Sequence, residues 1–197
     1  MSENPLLVAV DVQRLYRDFA PWSLPAVEAV AHASARLADA LACPLLCTRT
    51  VFPSAHGVTD GPWRRYEERW RELAERAGAE PALLEPLPEL AGRCQEVFDK
   101  HSYSAFGDPA FERRVLDVHP DPLLITGVET DICVLATVFG AIDRNLPVWL
   151  VTDAVAGPDA RAERGTLATL ARMPEQVRLL RTDEAIAALT GGSEGTA

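Results

Sequence analysis

Short apolar runs rich in β-branched residues alternate along the chain with longer stretches whose apolar positions recur at helical spacing. The first run, LLVAVDV at 6–12, is apolar at nearly every position and has the pattern of a strand covered on both faces. It leaves Asp11 near the strand's C-terminal end. After a loop holding Pro21 and Pro25, residues 26–42 are rich in Ala and Leu at helical spacing, and Pro44 prevents that helix from continuing. LLCTRTVF at 45–52 reads as the next strand. Further strands are predicted at 95–100, 123–127, 147–152 and 177–181, with helices near 109–117, 131–144, 159–172 and 183–189.

The stretch 53–94 is less regular. A loop with Gly and Pro leads into WRRYEERWRELAERAG, which reads as a helix, and then into a connection punctuated by Pro81, Pro86 and Pro88. It is expected to be a lid or flank rather than part of the sheet. Elsewhere the repeated strand-helix units predict an α/β fold, a three-layer α/β/α domain with about six mainly parallel strands. Residues 1–190 are expected to form one domain and 191–197 a flexible tail, because no repeat, low-complexity block or long linker divides the chain.

Composition narrows the function. About half of the 197 residues are apolar, enough for one sizeable core, and the formal net charge of -10 offers no broad basic surface for nucleic acid. A small-molecule substrate is expected. No run approaches the roughly 20 apolar residues that cross a bilayer, and MSENPLLVAVDVQ has no basic leader, so no membrane partner and a cytoplasmic location are expected. The four cysteines, Cys43, Cys47, Cys94 and Cys133, are too sparse for a disulfide scaffold and are expected to be free thiols. Cys43 and Cys47 have a tolerable metal spacing, but no second Cys or His pair completes four ligands.

In open α/β sheets ligands bind beyond the carboxyl ends of the strands. Three reactive side chains fall there: Asp11 after the first strand, Lys100 after QEVFD, and Cys133 in the first turn of the helix that follows LLITGV. A helix N-terminus and a nearby ammonium both favour thiolate, so Cys133 is expected to ionise most readily of the four thiols. A carboxylate near the sulfur can take its proton and later return it to a departing amine, while Lys100 keeps that carboxylate ionised. Taken singly, Asp11 as a loop cap, Lys100 as a solvated charge and Cys133 as a core thiol are the better descriptions, and it is their shared position at strand ends that favours chemistry.

LLVAVDVQRLY with its Asp-x-Gln element, VFDKHSYSAF, and ITGVETDICVLATVFGA together resemble the isochorismatase-like cysteine hydrolases. The resemblance spans nearly the whole chain. It implies Asp11 as proton acceptor, Lys100 as the third member of a triad and Cys133 as the nucleophile that forms an acyl-enzyme. It also implies a non-proline cis peptide at Val128-Glu129, with the backbone amides of Glu129 and Cys133 turned towards the oxyanion.

The chain departs from the family pattern in two places. Where many members read Asp-Val-Gln-Asn-Asp-Phe, this chain has Arg14, Leu15 and Tyr16 after Gln13, so one wall of the pocket differs. Nicotinamidases carry an Asp-x-His pair after the second strand and a further His, whereas the stretch here is RTVFPSAHG with His56 as its one histidine. No metal and no cofactor are therefore expected. That favours the metal-free amidases and carbamoyl hydrolases over nicotinamidase, and isochorismate hydrolysis is not favoured because it needs no thiol.

Aromatic residues gather near the reactive ones in sequence: Tyr16, Phe19 and Trp22, then Trp63, Tyr66 and Trp70, then Tyr103 and Phe106. Tyr16, Trp63, Tyr103 and Phe106 are the candidate substrate-binding residues. Pocket lining and a helix stripe packed on the sheet or a partner subunit are equally consistent with Trp63, Tyr66 and Trp70. Arg64, Arg65, Arg69 and Arg71 either pair with Glu67, Glu68, Glu72 and Glu75 on a solvated face or turn one guanidinium to a substrate carboxylate. A homodimer or larger homo-oligomer is expected.

The expected function is a metal-free cysteine hydrolase cleaving a C–N bond of a small amide, ureido or carbamoyl compound. The alternatives are a nicotinamidase-type amidase and a small-molecule-binding member of the fold without turnover.

Overall fold

The computed structural model describes residues 4–52 and 61–191. Its strands are β1 (Leu6–Val10), β2 (Leu45–Thr50), β3 (Cys94–Lys100), β4 (Leu123–Val128), β5 (Val148–Ala156) and β6 (Val177–Leu180). The helices are α1 (Leu15–Asp18), α2 (Val27–Leu41), α3 (Pro62–Arg69), α4 (Arg71–Ala79), α5 (Pro109–Val118), α6 (Leu135–Ile142), α7 (Ala160–Leu170) and α8 (Thr182–Thr190). Short 3-10 turns and a π-helical turn at Thr130–Val134 join them.

The strands form one six-stranded parallel sheet in the order β3-β2-β1-β4-β5-β6. The chain first builds outwards from β1 to β3, then returns to the other side of β1 and builds outwards again. The order therefore reverses between β1 and β4, where loops leave in opposite directions and open a crevice. Asp11 follows β1 and Cys133 follows β4.

Every residue of β1 is buried, and its alternation assigns the layers. Leu7 and Ala9 pack with Val30, Ala31, Leu37 and Ala38 of α2 and Ala185 of α8. Leu6, Val8 and Val10 pack on the opposite face with Phe111 of α5, Val138 of α6 and Leu170 of α7. A strand covered on both faces needs apolar side chains at consecutive positions, as the LLVAV run supplies. The helices on the second face start at good caps: Asp108 accepts from the N–H groups of Ala110 and Phe111, and Asp159 from those of Arg161 and Ala162. Among the described residues no helix is long and apolar enough to cross a membrane.

Three sequence expectations need correction. The helix read across 63–78 is two helices, broken at Trp70 (φ -106°, ψ 26°). The break sets the Trp70 ring edge-on to Trp22, with centroids 5.3 Å apart, while Leu73 packs with Phe19 and Phe52. The fifth strand runs on to Ala156, because its register against β4 shifts between Ile125 and Gly127 and pairing resumes at Val155. The third correction concerns sulfur. Cys47 and Cys94 form a disulfide between β2 and β3, with Cα atoms 5.7 Å apart, which leaves Cys43 and Cys133 as the free thiols. Neighbouring strands bring together cysteines that are 47 residues apart, and sparse composition cannot reveal such a pairing.

Candidate active site

Asp11 is the first residue beyond β1 and turns into the left-handed region, with φ 54°. A non-glycine residue there is unusual and is held from several sides. Its N–H donates to the Thr48 carbonyl at 3.1 Å, and the Thr48 hydroxyl donates to Asp11 Oδ1 at 2.8 Å. Gln13 anchors the next step of the loop. Its side chain accepts from the Thr50 N–H at 2.8 Å and donates to the carbonyl oxygens of Leu84 at 2.9 Å and Thr50 at 3.2 Å. The Asp-x-Gln element thus fastens the end of β1 to the end of β2 and to the segment after α4.

Lys100 closes β3 and reaches across the strand ends. Its Nζ lies 2.7 Å from Asp11 Oδ2 and 3.3 Å from Cys133 Sγ, and donates to the Ser102 carbonyl at 3.0 Å. Lys100 is 1% exposed and Asp11 0%, so this is an ion pair inside the fold rather than a surface contact. The three side chains singled out from sequence converge on one point.

Cys133 sits in the π-helical turn between β4 and α6. Thr137 accepts from the Ala105 N–H at 3.0 Å and donates to the Cys133 carbonyl at 2.7 Å, tying the Cys133 turn to the segment that follows Lys100. Glu163 of α7 accepts from the Thr130 hydroxyl at 3.3 Å and the Gly157 N–H at 3.0 Å, holding the other side of the turn. The Val128-Glu129 peptide is cis. Thr48, Thr137 and Glu163 were not singled out from sequence, and their roles depend on side-chain direction across elements far apart in the chain.

The electrostatics overturn one expectation. Burial, and then the adjacent Asp11 carboxylate, push the Cys133 thiol up to about 12, more than Lys100 offsets. Burial pushes Cys43 up as well, to about 11, so the helix terminus and Lys100 do not lower Cys133 below an ordinary thiol. The cause is the local charge balance: a buried ammonium already matched by one carboxylate leaves a thiolate as an uncompensated second anion. Burial alone would lower the Lys100 ammonium, but Asp11 and Cys133 together hold it above the ordinary lysine value.

A cavity of about 360 Å³ opens over Cys133, a size suited to a small molecule. Tyr16, Trp63 and Tyr103 line it, together with Trp22, Tyr66 and Trp70. Trp63 packs against Tyr66 and Tyr103 with centroids 5.6 and 4.9 Å away. The aromatic segment after Gly61 therefore both lines the cavity and packs on the fold. Phe106 does not line it. It is 5% exposed and packed between Phe111, 5.1 Å between centroids, and the Arg144 guanidinium, so its candidacy as a substrate contact is withdrawn in favour of the core. Sequence adjacency to Lys100 is no guide there, because the 3-10 turn at Ala105–Gly107 buries the ring in the core cluster with Phe111 and Val138.

His101 and the Glu129 side chain also face the cavity, neither anticipated from sequence. Burial, then Asp131 and Asp11, raise the Glu129 carboxyl. Of the lid arginines, Arg64 pairs with Glu68 at 3.0 Å on the exposed face, whereas Arg69 borders the cavity. Among the described residues no three His, Cys, Asp or Glu side chains gather as a metal-binding group. His56 lies outside the described residues.

Comparison with known proteins agrees with this architecture. The Isochorismatase domain model matches residues 5–184. Isochorismatase domain-containing protein 2 from Rattus norvegicus is 26% identical over 186 residues, covering 93% of this chain and 72% of the relative. Among solved structures, a cysteine hydrolase from Pseudomonas syringae pv. phaseolicola 1448A superposes with a TM-score of 0.80 at 19% identity, covering 95% of this chain and 93% of the other. The pyrazinamidase of Pyrococcus horikoshii, solved in complex with zinc, superposes with a TM-score of 0.69 at 19% identity, covering 90% and 99%. With 180 consecutive residues matched by one family model and the same fold in its structural neighbours, the chain belongs to the isochorismatase family.

Proposed function

We propose that the protein is a cysteine amidohydrolase that cleaves the C–N bond of a small amide, ureido or carbamoyl compound through an acyl-enzyme on Cys133. The observation that carries this reading is the buried Lys100 ammonium 2.7 Å from Asp11 and 3.3 Å from Cys133, whose residue lines a cavity.

Charge balance orders the steps. A resting site with Asp11 carboxylate, Lys100 ammonium and Cys133 thiol is neutral. Ionising the thiol to solvent would leave a buried negative charge, but passing its proton to Asp11 keeps the total unchanged. The thiol proton therefore moves to Asp11 as Sγ attacks the substrate carbonyl. The S–C bond forms, and the oxyanion is met by the backbone N–H groups of Glu129 and Cys133. As the tetrahedral adduct collapses, the C–N bond breaks and Asp11 returns the proton to the departing nitrogen, which leaves as ammonia or an amine. Water then attacks the thioester, Asp11 takes its proton, and the sulfur departs and is reprotonated as the acid leaves.

Lys100 has two roles in this scheme. It keeps Asp11 ionised and ready to accept, and it stabilises sulfur as negative charge develops. No step requires a metal. A panel of small amides, ureas and carbamoyl compounds assayed for ammonia release tests the reading. Wild-type protein is expected to turn over at least one, Cys133→Ala none, and intact mass after rapid quenching to show the acyl adduct on Cys133. Hydrolysis that persists in Cys133→Ala refutes the mechanism.

A further inference from the structure

The cavity has unlike ends. Cys133 and Glu129 line one part of it, with Asp11 buried outside the lining on the Lys100 ammonium that also contacts Cys133; aromatic rings line another part, and with them a guanidinium, that of Arg69. Tyr66 links the ends: its hydroxyl is raised by burial and by Tyr103, Cys133 and Glu129, and lowered by Arg69, so it feels the charges of both.

Among the described residues no carboxylate pairs with Arg69. On the same two helices Arg64 pairs with Glu68 at 3.0 Å and Arg76 with Glu80 at 3.5 Å, each with a glutamate four residues on. The residue four beyond Arg69 is Leu73, which is buried, and the residue four before it is Arg65. Glu72 lies three residues on, but the helix breaks at Trp70 and places it in α4. What holds Arg69 is the face of Trp70, with the guanidinium carbon 5.1 Å from the ring centroid. Stacking of this kind fixes the plane of the guanidinium while leaving its N–H edge free to meet a planar anion in two parallel hydrogen bonds.

We infer that Arg69 is a specificity residue that binds a carboxylate on the substrate's tail, with the scissile carbonyl directed down the aromatic cavity to Cys133. The substrate class is then a carboxylate-bearing amide or ureido compound, a monoamide of a dicarboxylic acid or an N-carbamoyl amino acid being the simplest forms. This rests on the amidohydrolase reading for the scissile end and on Arg69 alone for the tail. A chain with a net charge of -10 and Glu129 in the cavity lining repels anions in general, so a cation in that lining is needed to admit one and to keep its charge away from Glu129.

The test compares malonamate, succinamate and glutaramate with butyramide, a neutral amide of similar size, in wild-type, Arg69→Gln and Arg69→Lys proteins. A carboxylated amide is expected to have KM at least about tenfold below that of butyramide in wild type. Arg69→Gln should raise that KM by a similar factor with kcat nearly unchanged and butyramide unaffected, and Arg69→Lys should restore part of the loss. In parallel, succinate and butyramide are titrated against each protein by tryptophan fluorescence, since Trp22, Trp63 and Trp70 line the cavity. Succinate binding that Arg69→Gln abolishes, in a protein that hydrolyses none of the amides, supports the carboxylate site and overturns the amidohydrolase reading. Equal KM values for charged and neutral amides, or succinate binding unchanged in Arg69→Gln, overturn the role of Arg69 and leave the hydrolase reading standing.

Discussion

Lys100 Nζ stands 3.3 Å from Cys133 Sγ, a contact that joins the end of an edge strand to the turn after a central one. Between β3 and β4 lie β2 and β1, and Asp11 at the end of β1 places a carboxylate 2.7 Å from the same ammonium. Three strand ends are thereby held by one cation, and its loss affects both folding and chemistry.

Lys100→Met is expected to leave the buried Asp11 without a cation, held by the Thr48 hydroxyl, and to cost about 3–5 kcal/mol of stability. Activity should fall at least about a hundredfold, since the proton acceptor and the developing sulfur charge lose the same partner. Adding Asp11→Asn should recover most of the stability and none of the turnover. Urea unfolding of the single and double variants, with ammonia release, measures both. A double variant no more stable than Lys100→Met would show that the buried pair is not what sets the cost.

The raised thiol gives a signed pH dependence. Folding lifts Cys133 from 9.0 to about 12, so above pH 9 the folded chain holds a proton that the unfolded chain has released. That contribution to stability is whole below about pH 9 and is lost as pH rises towards 12. Tyr16 and Lys100 are also raised and act in the same direction. Unfolding free energy is therefore expected to fall between about pH 9 and 12, and less steeply in Cys133→Ser. Denaturant melts across that range check it, and equal slopes in the two proteins would contradict the assignment.

The elements that position the site were legible because they obey periodicity: LLVAV and LLITG are continuous apolar runs, and α2, α5 and α7 have clear stripes and stops. Asp11, Lys100 and Cys133 were legible as reactive residues at strand ends. Three properties of the site were not legible. The state of the Cys133 thiol depends on burial and on an adjacent carboxylate, which a helix-terminus argument omits. Phe106 follows Lys100 closely in sequence but faces the core, because a short turn reverses its direction. Thr137 and Glu163 hold the nucleophile's turn from helices whose sequence does not mark them.

The disulfide gives a direct count. With Cys47 and Cys94 joined, denatured protein kept from reductant should titrate two thiols, Cys43 and Cys133, and four after reduction. Cys47→Ala with Cys94→Ala is expected to cost about 2–4 kcal/mol in oxidised protein, by freeing the unfolded chain from a closed loop, and little relative to reduced wild type. Four thiols in unreduced protein would remove this cross-link from the fold.

Gly127 sets how closely β4 approaches β1, and with it the distance from Cys133 to Asp11. It pairs with Val10 across the two central strands, adopts φ 128°, and a Cβ at its position would meet the Val10 carbonyl oxygen at 2.1 Å and its nitrogen at 2.6 Å. Both contacts are with backbone inside the sheet, which has no flexible side chain to move aside. Gly127→Ala therefore has to push the strands apart or unfold their ends, and forces a left-handed conformation on alanine besides. The expected cost is at least about 3 kcal/mol. Gly78, on the lid helix, meets nothing within 4 Å, so Gly78→Ala should be neutral or slightly stabilising in the same melts. If Gly127→Ala folds, the separation should appear in the chemistry: kcat falls while carboxylate binding at the cavity mouth is retained, because that region is built from other elements. Wild-type stability and kcat in Gly127→Ala would mean that the close strand approach does not govern the site.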